Sequence, residues 1–271
     1  RGERLALEAD VGKAGWLLLE KDRPPAYDDV RQGRLNTCYF LAGFASIAQR
    51  HPEVIEDMFV KRELWEGKNP VYTMRFLING EESFIAVDGW VPADPVERQP
   101  YFADVKWSGQ AWPMVLEKAW AKIFGNFKAI EQGMADYAYK AIVQAPVDVY
   151  SKEQQCNMEM VWELLKESES ENWPMWGASA QNNFGLAANH GFVILGSGNM
   201  TDKRAVKLYN PWGVNWYNGD LGKTTTGTFW VTLDEFWQAF GTVIVARVRA
   251  GYVISSTPTA VANSEAQAAL S

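Results

Sequence analysis

A cysteine, a histidine and an asparagine, in that order along the chain, are the residues whose types could act together on a carbonyl. Cys38 follows a polar turn, Gln32-Gly33-Arg34-Leu35-Asn36-Thr37, and opens an apolar run to Ala48 that reads as a buried helix. Asn36 or Thr37 is placed to cap that helix. Cys38 then falls in the first turn, where the helix dipole favours a thiolate. There a thiol pKa of about 8.5 is drawn toward the range of about 3.5–7.5 typical of reactive cysteines. The Gln32 side-chain amide lies upstream as a donor for a developing oxyanion. Read alone, a cysteine on an apolar helix is a small buried hydrophobe.

The chain has two histidines. His51 stands before Pro52 at a helix end and reads as a surface or capping residue. His190 opens the apolar run Gly191-Phe192-Val193-Ile194-Leu195-Gly196, and Asn210-Pro211-Trp212-Gly213 ends the next strand. Each has a structural reading, a satisfied histidine and a turn respectively. The catalytic reading gives each a task. The Asn210 oxygen accepts from one ring N–H of His190 and fixes the tautomer, the other ring nitrogen faces Cys38, and Trp212 shields the pair from water.

The elements that must position these groups fall into two halves. After a lead-in segment, 1–31, helices dominate residues 32–144. They run through the Cys38 run, Glu53–Phe59, Pro113–Phe124 and Ala129–Met134, with a hairpin of Val71–Asn79 and Glu82–Val87 at Asn79-Gly80. Residues 145–254 read mainly as strands: Met175–Ala180, His190–Leu195, Ala205–Tyr209, Thr228–Val231 and Val243–Val248. An amphipathic helix at Glu153–Lys166 precedes them, and a capping box at Thr232–Glu235 starts a short helix. Residues 255–271 are small and polar and read as a frayed tail. The layout is α+β, with a ligand site expected where the halves meet.

With 271 residues, 47% hydrophobic and 13% aromatic, the chain can bury a full core. A net charge of −7 with no basic run argues against nucleic acid or an anionic membrane as partner. Two cysteines make no disulfide framework and fit a reducing compartment. No apolar run reaches transmembrane length, and Arg1-Gly2-Glu3-Arg4 does not lead into a signal-peptide core. Gly219-Asp220-Leu221-Gly222-Lys223-Thr224 lacks the first glycine of a phosphate loop, and no zinc-binding pattern occurs. Trp162, Trp173 and Trp176 read as core residues.

Together these blocks resemble the protease core of the calpain family. Gln32, Gly33, Leu35 and Cys38 match its Gln-Gly-x-Leu-x-x-Cys motif, and Leu116-Glu117-Lys118-Ala119-Trp120-Ala121-Lys122 is similar to its Leu-Glu-Lys-Ala-Tyr-Ala-Lys helix. Gly185-Leu186, His190 and Gly196 follow its histidine block, Asn210-Pro211-Trp212-Gly213 its asparagine block, and Thr228-Phe229-Trp230 with Phe236 its closing strand and helix. The resemblance spans roughly 28–248. It implies a papain-like cysteine protease fold, with the active site in a cleft between the two halves. It also implies limited cleavage of protein substrates in the cytoplasm, within a longer chain of additional domains. Cys38, His190, Asn210 and Gln32 would be catalytic, with Trp212 and Gly196 lining or shielding the cleft.

Departures from the family pattern accompany the match: Tyr39 stands for the usual Trp after the nucleophile, and Thr37 for Asp before it. Calpain cores carry two calcium sites. The resemblance assigns Asp29 and Glu117 to the first, so one site can survive. In the second half, Asn215, Thr226 and Thr228 stand where acidic residues are expected, so that site is expected to be lost. Two rival functions remain open at this stage: a catalytically silent calpain-like binding module, and a transglutaminase-type acyl transferase. The latter is disfavoured by Asn210 and the Asn-Pro-Trp-Gly block.

Overall fold

In the computed structural model, residues 3–6, 18–65, 69–94, 96, 100–105, 110–154 and 156–249 are described. The tail at 255–271 lies outside them. The first half contains β1 (Glu3–Ala6), α1 (Cys38–Arg50), α2 (Pro52–Met58), β2 (Phe59–Trp65), β3 (Asn69–Ile78), β4 (Glu81–Asp88), β5 (Trp90–Ala93), α3 (Trp112–Ile123) and α4 (Ala135–Ile142). The second contains β6 (Val147–Ser151), α5 (Met158–Ser170), β7 (Met175–Ser179), β8 (Gly191–Met200), β9 (Lys203–Val214), β10 (Asn218–Gly219), β11 (Gly222–Lys223), β12 (Thr226–Thr232), α6 (Leu233–Ala239) and β13 (Phe240–Ala246).

The protein is α+β with antiparallel sheets. Six strands in the order β12-β9-β8-β7-β13-β6 form the main sheet, and β2-β3-β4 form a second. Alternation along β8 explains why both faces of the main sheet are covered. Val193 and Leu195 join a core with α1, α3 and α4, whereas Phe192 and Ile194 join another with α5 and α6. The apolar run Phe192–Leu195 is therefore buried on both sides, and α1 is buried from Tyr39 to Ala48.

Several local expectations hold. Asn79 and Gly80 both have positive φ, 54° and 84°, as a two-residue hairpin turn requires. Thr232 accepts from the Glu235 N–H while the Glu235 carboxylate accepts from the Thr232 N–H, closing the capping box.

Others are corrected. The hairpin expected in the half carrying Cys38 is extended by β2 into a three-stranded sheet. The helix expected at Ala129–Met134 is a 3-10 turn at Phe127–Ile130 followed by α4. The amphipathic helix starts later, at Met158, because Asn157 caps it by accepting from the Met160 N–H at 2.9 Å. The end of the lead-in segment is packed: Asp29 and Val30 are buried, and the Val30 carbonyl accepts from Tyr209 Oη at 2.6 Å.

Candidate active site

Cys38 is the first residue of α1, after Thr37. The Thr37 hydroxyl does not cap the helix; it donates to Glu117 Oε1 at 2.5 Å. The thiol departs from expectation too. Burial pushes the Cys38 thiol up, and the N–H groups of Gly191, Tyr39 and Cys38 itself only partly oppose this. Desolvation outweighs the helix N-terminus. The Gly191 N–H that faces the sulfur belongs to the peptide that follows His190.

His190 precedes β8 and is fastened through its backbone to Ser179 at the end of β7. Its carbonyl accepts from the Ser179 N–H at 2.9 Å, and its own N–H donates to Ser179 Oγ at 3.3 Å. Sequence reasoning missed Ser179, because a serine at a strand end carries no signal of what it will face. The His190 ring lies 2.8 Å from Asn210 Oδ1 through Nε2. That oxygen also accepts from the Trp212 N–H at 3.0 Å, which orients the amide and makes Nε2 the protonated nitrogen. The Trp212 ring covers the imidazole, with centroids 4.2 Å apart. Burial lowers the His190 pKa to about 4, the Asn210 contact opposing this only in part, so the imidazole is neutral at pH 7.

The Asn210 block stands proud of its sheet for a physical reason. Thr228 pairs with Tyr209 and Thr226 with Val214, so residues 210–213 bulge from β9, and Gly213 takes φ +74° there. Pro211 has no N–H to offer the ladder. Its carbonyl is free to accept from the Gln32 N–H at 2.7 Å, which ties the Gln32 turn to the Asn210 block. The Gln32 side chain donates one N–H to the Leu35 carbonyl at 2.7 Å, leaving the second N–H of the same amide. Gly33 is required here, because a Cβ would fall 1.8 Å from the Phe102 carbonyl oxygen.

The fold thus brings Cys38 to Gly191, His190 to Asn210 and Trp212, and Gln32 to Pro211. Three buried polar atoms in this neighbourhood have no partner: Gln32 Oε1, Asn210 Nδ2 and Trp176 Nε1. Trp176 lies in the core, as its sequence reading expects. It packs there with α1, and its indole nitrogen would lie 2.6 Å from a Cβ on Gly191. Gly196 sits elsewhere on β8, where a Cβ would fall 2.6 Å from Glu169 Oε1 of α5; the residue permits that close approach.

The profile of the calpain family of cysteine proteases matches residues 22–226. This chain belongs to the calpain family. The calpain-type cysteine proteases ADL1 of Oryza sativa subsp. japonica and DEK1 of Zea mays are each 26% identical to it over 251 residues. Those matches cover 81% of this chain and 11% of each relative. Calpain-14 of Homo sapiens is 23% identical over 252 residues, covering 82% of this chain and 36% of that protein. The chain therefore spans about a tenth of the length of the first two relatives, at 11%, and about a third of the last, at 36%.

The residues matched to the first calpain calcium site do not fit a calcium ion. Asp29 Oδ1 is held by Arg23, and Oδ2 accepts from the Ala26 N–H at 2.9 Å and Trp112 Nε1 at 3.2 Å. Glu117 Oε1 is taken by Thr37, and Oε2 accepts from the Ala103 N–H at 2.7 Å. Burial raises the pKa of both, Glu117 to about 7. Calcium takes about six to eight oxygens; these already have protein donors. Among the described residues no group of three or more His, Cys, Asp or Glu is placed to hold a metal. In the second half, Asn215 donates to the Thr226 carbonyl and accepts from the Tyr217 N–H at 2.6 Å, and Asp220 pairs with Lys203 at 2.6 Å.

Proposed function

We propose that this chain is the catalytic core of a calpain-type endopeptidase that hydrolyses peptide bonds of protein substrates through Cys38, His190 and Asn210. The observation that carries the reading is the His190 imidazole held 2.8 Å from Asn210 Oδ1 under the Trp212 ring, next in the chain to the glycine whose N–H faces the Cys38 sulfur. The division at residue 144 and a papain-like cleft between the halves belong to the same reading. So do a cytoplasmic setting and further domains in a longer chain.

At rest the thiol and imidazole are both neutral. As the scissile carbonyl approaches, the Cys38 proton passes to His190 Nδ1, since Nε2 is occupied with Asn210. The sulfur forms its bond to carbon, and the carbonyl oxygen takes the negative charge. The Cys38 N–H at the helix N-terminus and the second Gln32 N–H receive that oxyanion. The tetrahedral adduct expels the amine, which takes the proton from His190. Water, deprotonated by the same ring, then cleaves the thioester. Trp212 keeps bulk water off the imidazole and Asn210 keeps it from rotating.

The raised thiol pKa favours a second reading, a calpain-like binding module without catalysis. Casein cleavage, with Cys38→Ala as control, is run beside labelling by a thiol-directed epoxide. Cleavage lost in Cys38→Ala and fast labelling of Cys38 are expected for the enzyme. Gln32→Ala should lose about 10²–10³ in rate while remaining folded. Slow labelling and no cleavage would establish the silent module, and amine incorporation into glutamine substrates would point to acyl transfer.

A further inference from the structure

The helix that starts at the nucleophile is fastened at its other end by groups with no part in the reaction as written. Arg50, the last residue of α1, donates from Nη2 to the Leu195 carbonyl of β8 at 2.9 Å. Asn172, just beyond α5, donates from Nδ2 to the Arg50 carbonyl at 2.8 Å, and its own carbonyl meets His51 Nε2 at 2.9 Å. His51 is thus buried at the junction of α1 and α2, which is the capping and not the surface alternative expected of it.

Leu195 is available because the sheet is irregular at that residue. Pairing of β8 with β9 passes from Ile194 opposite Leu208 to Gly196 opposite Lys207, so Leu195 has no partner across the ladder. The next residues bind α5: Glu169 accepts from the Ser197 N–H at 2.8 Å and from Ser197 Oγ at 2.7 Å. Gly196 leaves room for that carboxylate, whose charge faces Arg50. Asn172 holds φ 58°, the left-handed turn that ends α5.

Besides the apolar packing of Val193 and Leu195, strand β8 therefore meets α1 through polar groups at two points. Near its start, the Gly191 N–H faces the Cys38 sulfur; farther along, the bulged Leu195 carbonyl takes Arg50. The strand length between them is about 13 Å at ~3.3 Å per residue. A helix held at one end only can slide or roll on a sheet; held at both it cannot.

We propose that Arg50, with Asn172, is a positioning residue for the reaction. Its grip on the β8 bulge sets the register of the nucleophile helix against the strand that follows His190. This rests on the proteolytic reading above. Arg50→Met keeps the apolar stem and removes the guanidinium; Asn172→Gly keeps the left-handed backbone and removes the amide. Both are tested for kcat and KM on a peptide substrate, for thermal unfolding, and for the pH profile of Cys38 alkylation by a neutral haloacetamide. Arg50→Met is expected to lose about 10- to 100-fold in kcat with KM unchanged, since misplacement by about 1 Å costs on that order. Its alkylation profile should move away from that of the wild type, and Arg50→Lys should recover part of the rate. Folded variants with wild-type kcat and alkylation profile would overturn the proposal, even with a lowered Tm. If Arg50→Met does not fold, Asn172→Gly decides by the same two readouts. An active wild type with unaffected variants removes only the positioning role. A wild type that cleaves nothing, with Cys38 alkylation indifferent to His190→Ala, removes the proteolytic reading and this inference with it.

Discussion

Two titrating side chains lie close to the nucleophile in sequence or space and push stability in opposite directions with pH. His190 has its pKa lowered to about 4, from an ordinary value of about 6.5, by burial. Between those values the unfolded chain binds the extra proton, so this term is complete above pH ~6.5 and is lost as pH falls toward ~4. Glu117, raised to about 7 from 4.5 by burial, is the reverse case. Between those values the folded protein holds the extra proton, so its term is complete below pH ~4.5 and is lost as pH rises toward ~7. Each shift is about 2.5 pKa units, or roughly 3 kcal/mol, and the windows overlap. Denaturant midpoints of the wild type should therefore vary little from these two groups between pH ~4.5 and ~6.5. Glu117→Gln should lose stability on acidification through that window, and His190→Gln should gain it. Parallel profiles for both variants would show that the two groups do not oppose each other.

Among the elements, β8 has the narrowest tolerance, because it touches α1 on one face and α5 on the other. Its glycines differ in what a side chain would meet. At Gly191 a Cβ would come within 2.6 Å of Trp176 Nε1 and 2.9 Å of its Cζ2, on a ring that is 2% exposed and has nowhere to move. At Gly198 the nearest atom, on Trp230, is 3.4 Å away. Gly191→Ala is expected to cost about 1–3 kcal/mol by overpacking. It should also slow Cys38 alkylation, since the Gly191 N–H faces the sulfur. Gly198→Ala on the same strand should change neither midpoint in denaturant nor alkylation rate. Equal costs at the two positions would show that strand propensity, and not the Trp176 contact, sets the penalty.

For the molecule as a whole, the question is what holds the two halves in place. Within the first half Arg23 occupies Asp29, and Thr37 and Ala103 occupy Glu117; Arg50 joins α1 of that half to the β8 bulge of the other. All are internal donors, so assembly of the site is expected to proceed without calcium. Anything that binds the folded state alone raises its Tm. Thermal unfolding in millimolar calcium and in excess chelator should therefore give the same Tm, and calorimetric titration should show no calcium-binding heat. A calcium-dependent rise in Tm that disappears in Asp29→Asn would mean that these carboxylates release their protein donors to the ion.

Sequence alone determined the order of Cys38, His190 and Asn210, the family, the α+β class, the Asn79-Gly80 turn and the Thr232 capping box. Each is written in residue types or in spacings a few positions long. Local pattern was less informative for β8 and β9, which run on past Leu195 and begin before Ala205. Gly196 to Asn199 lack strand composition, and their turn is made by Thr201 and Asp202 at φ 47° and 65°, types that seldom announce it. Only tertiary structure decided that the thiol is raised, that Thr37 serves Glu117, that Asp29 is spent on Arg23 and that Arg50 reaches Leu195. Burial depth and hydrogen-bond partners belong to groups far apart in the chain. A helix N-terminus predicts a charged sulfur until the sheet packed over it removes the water that the charge would need.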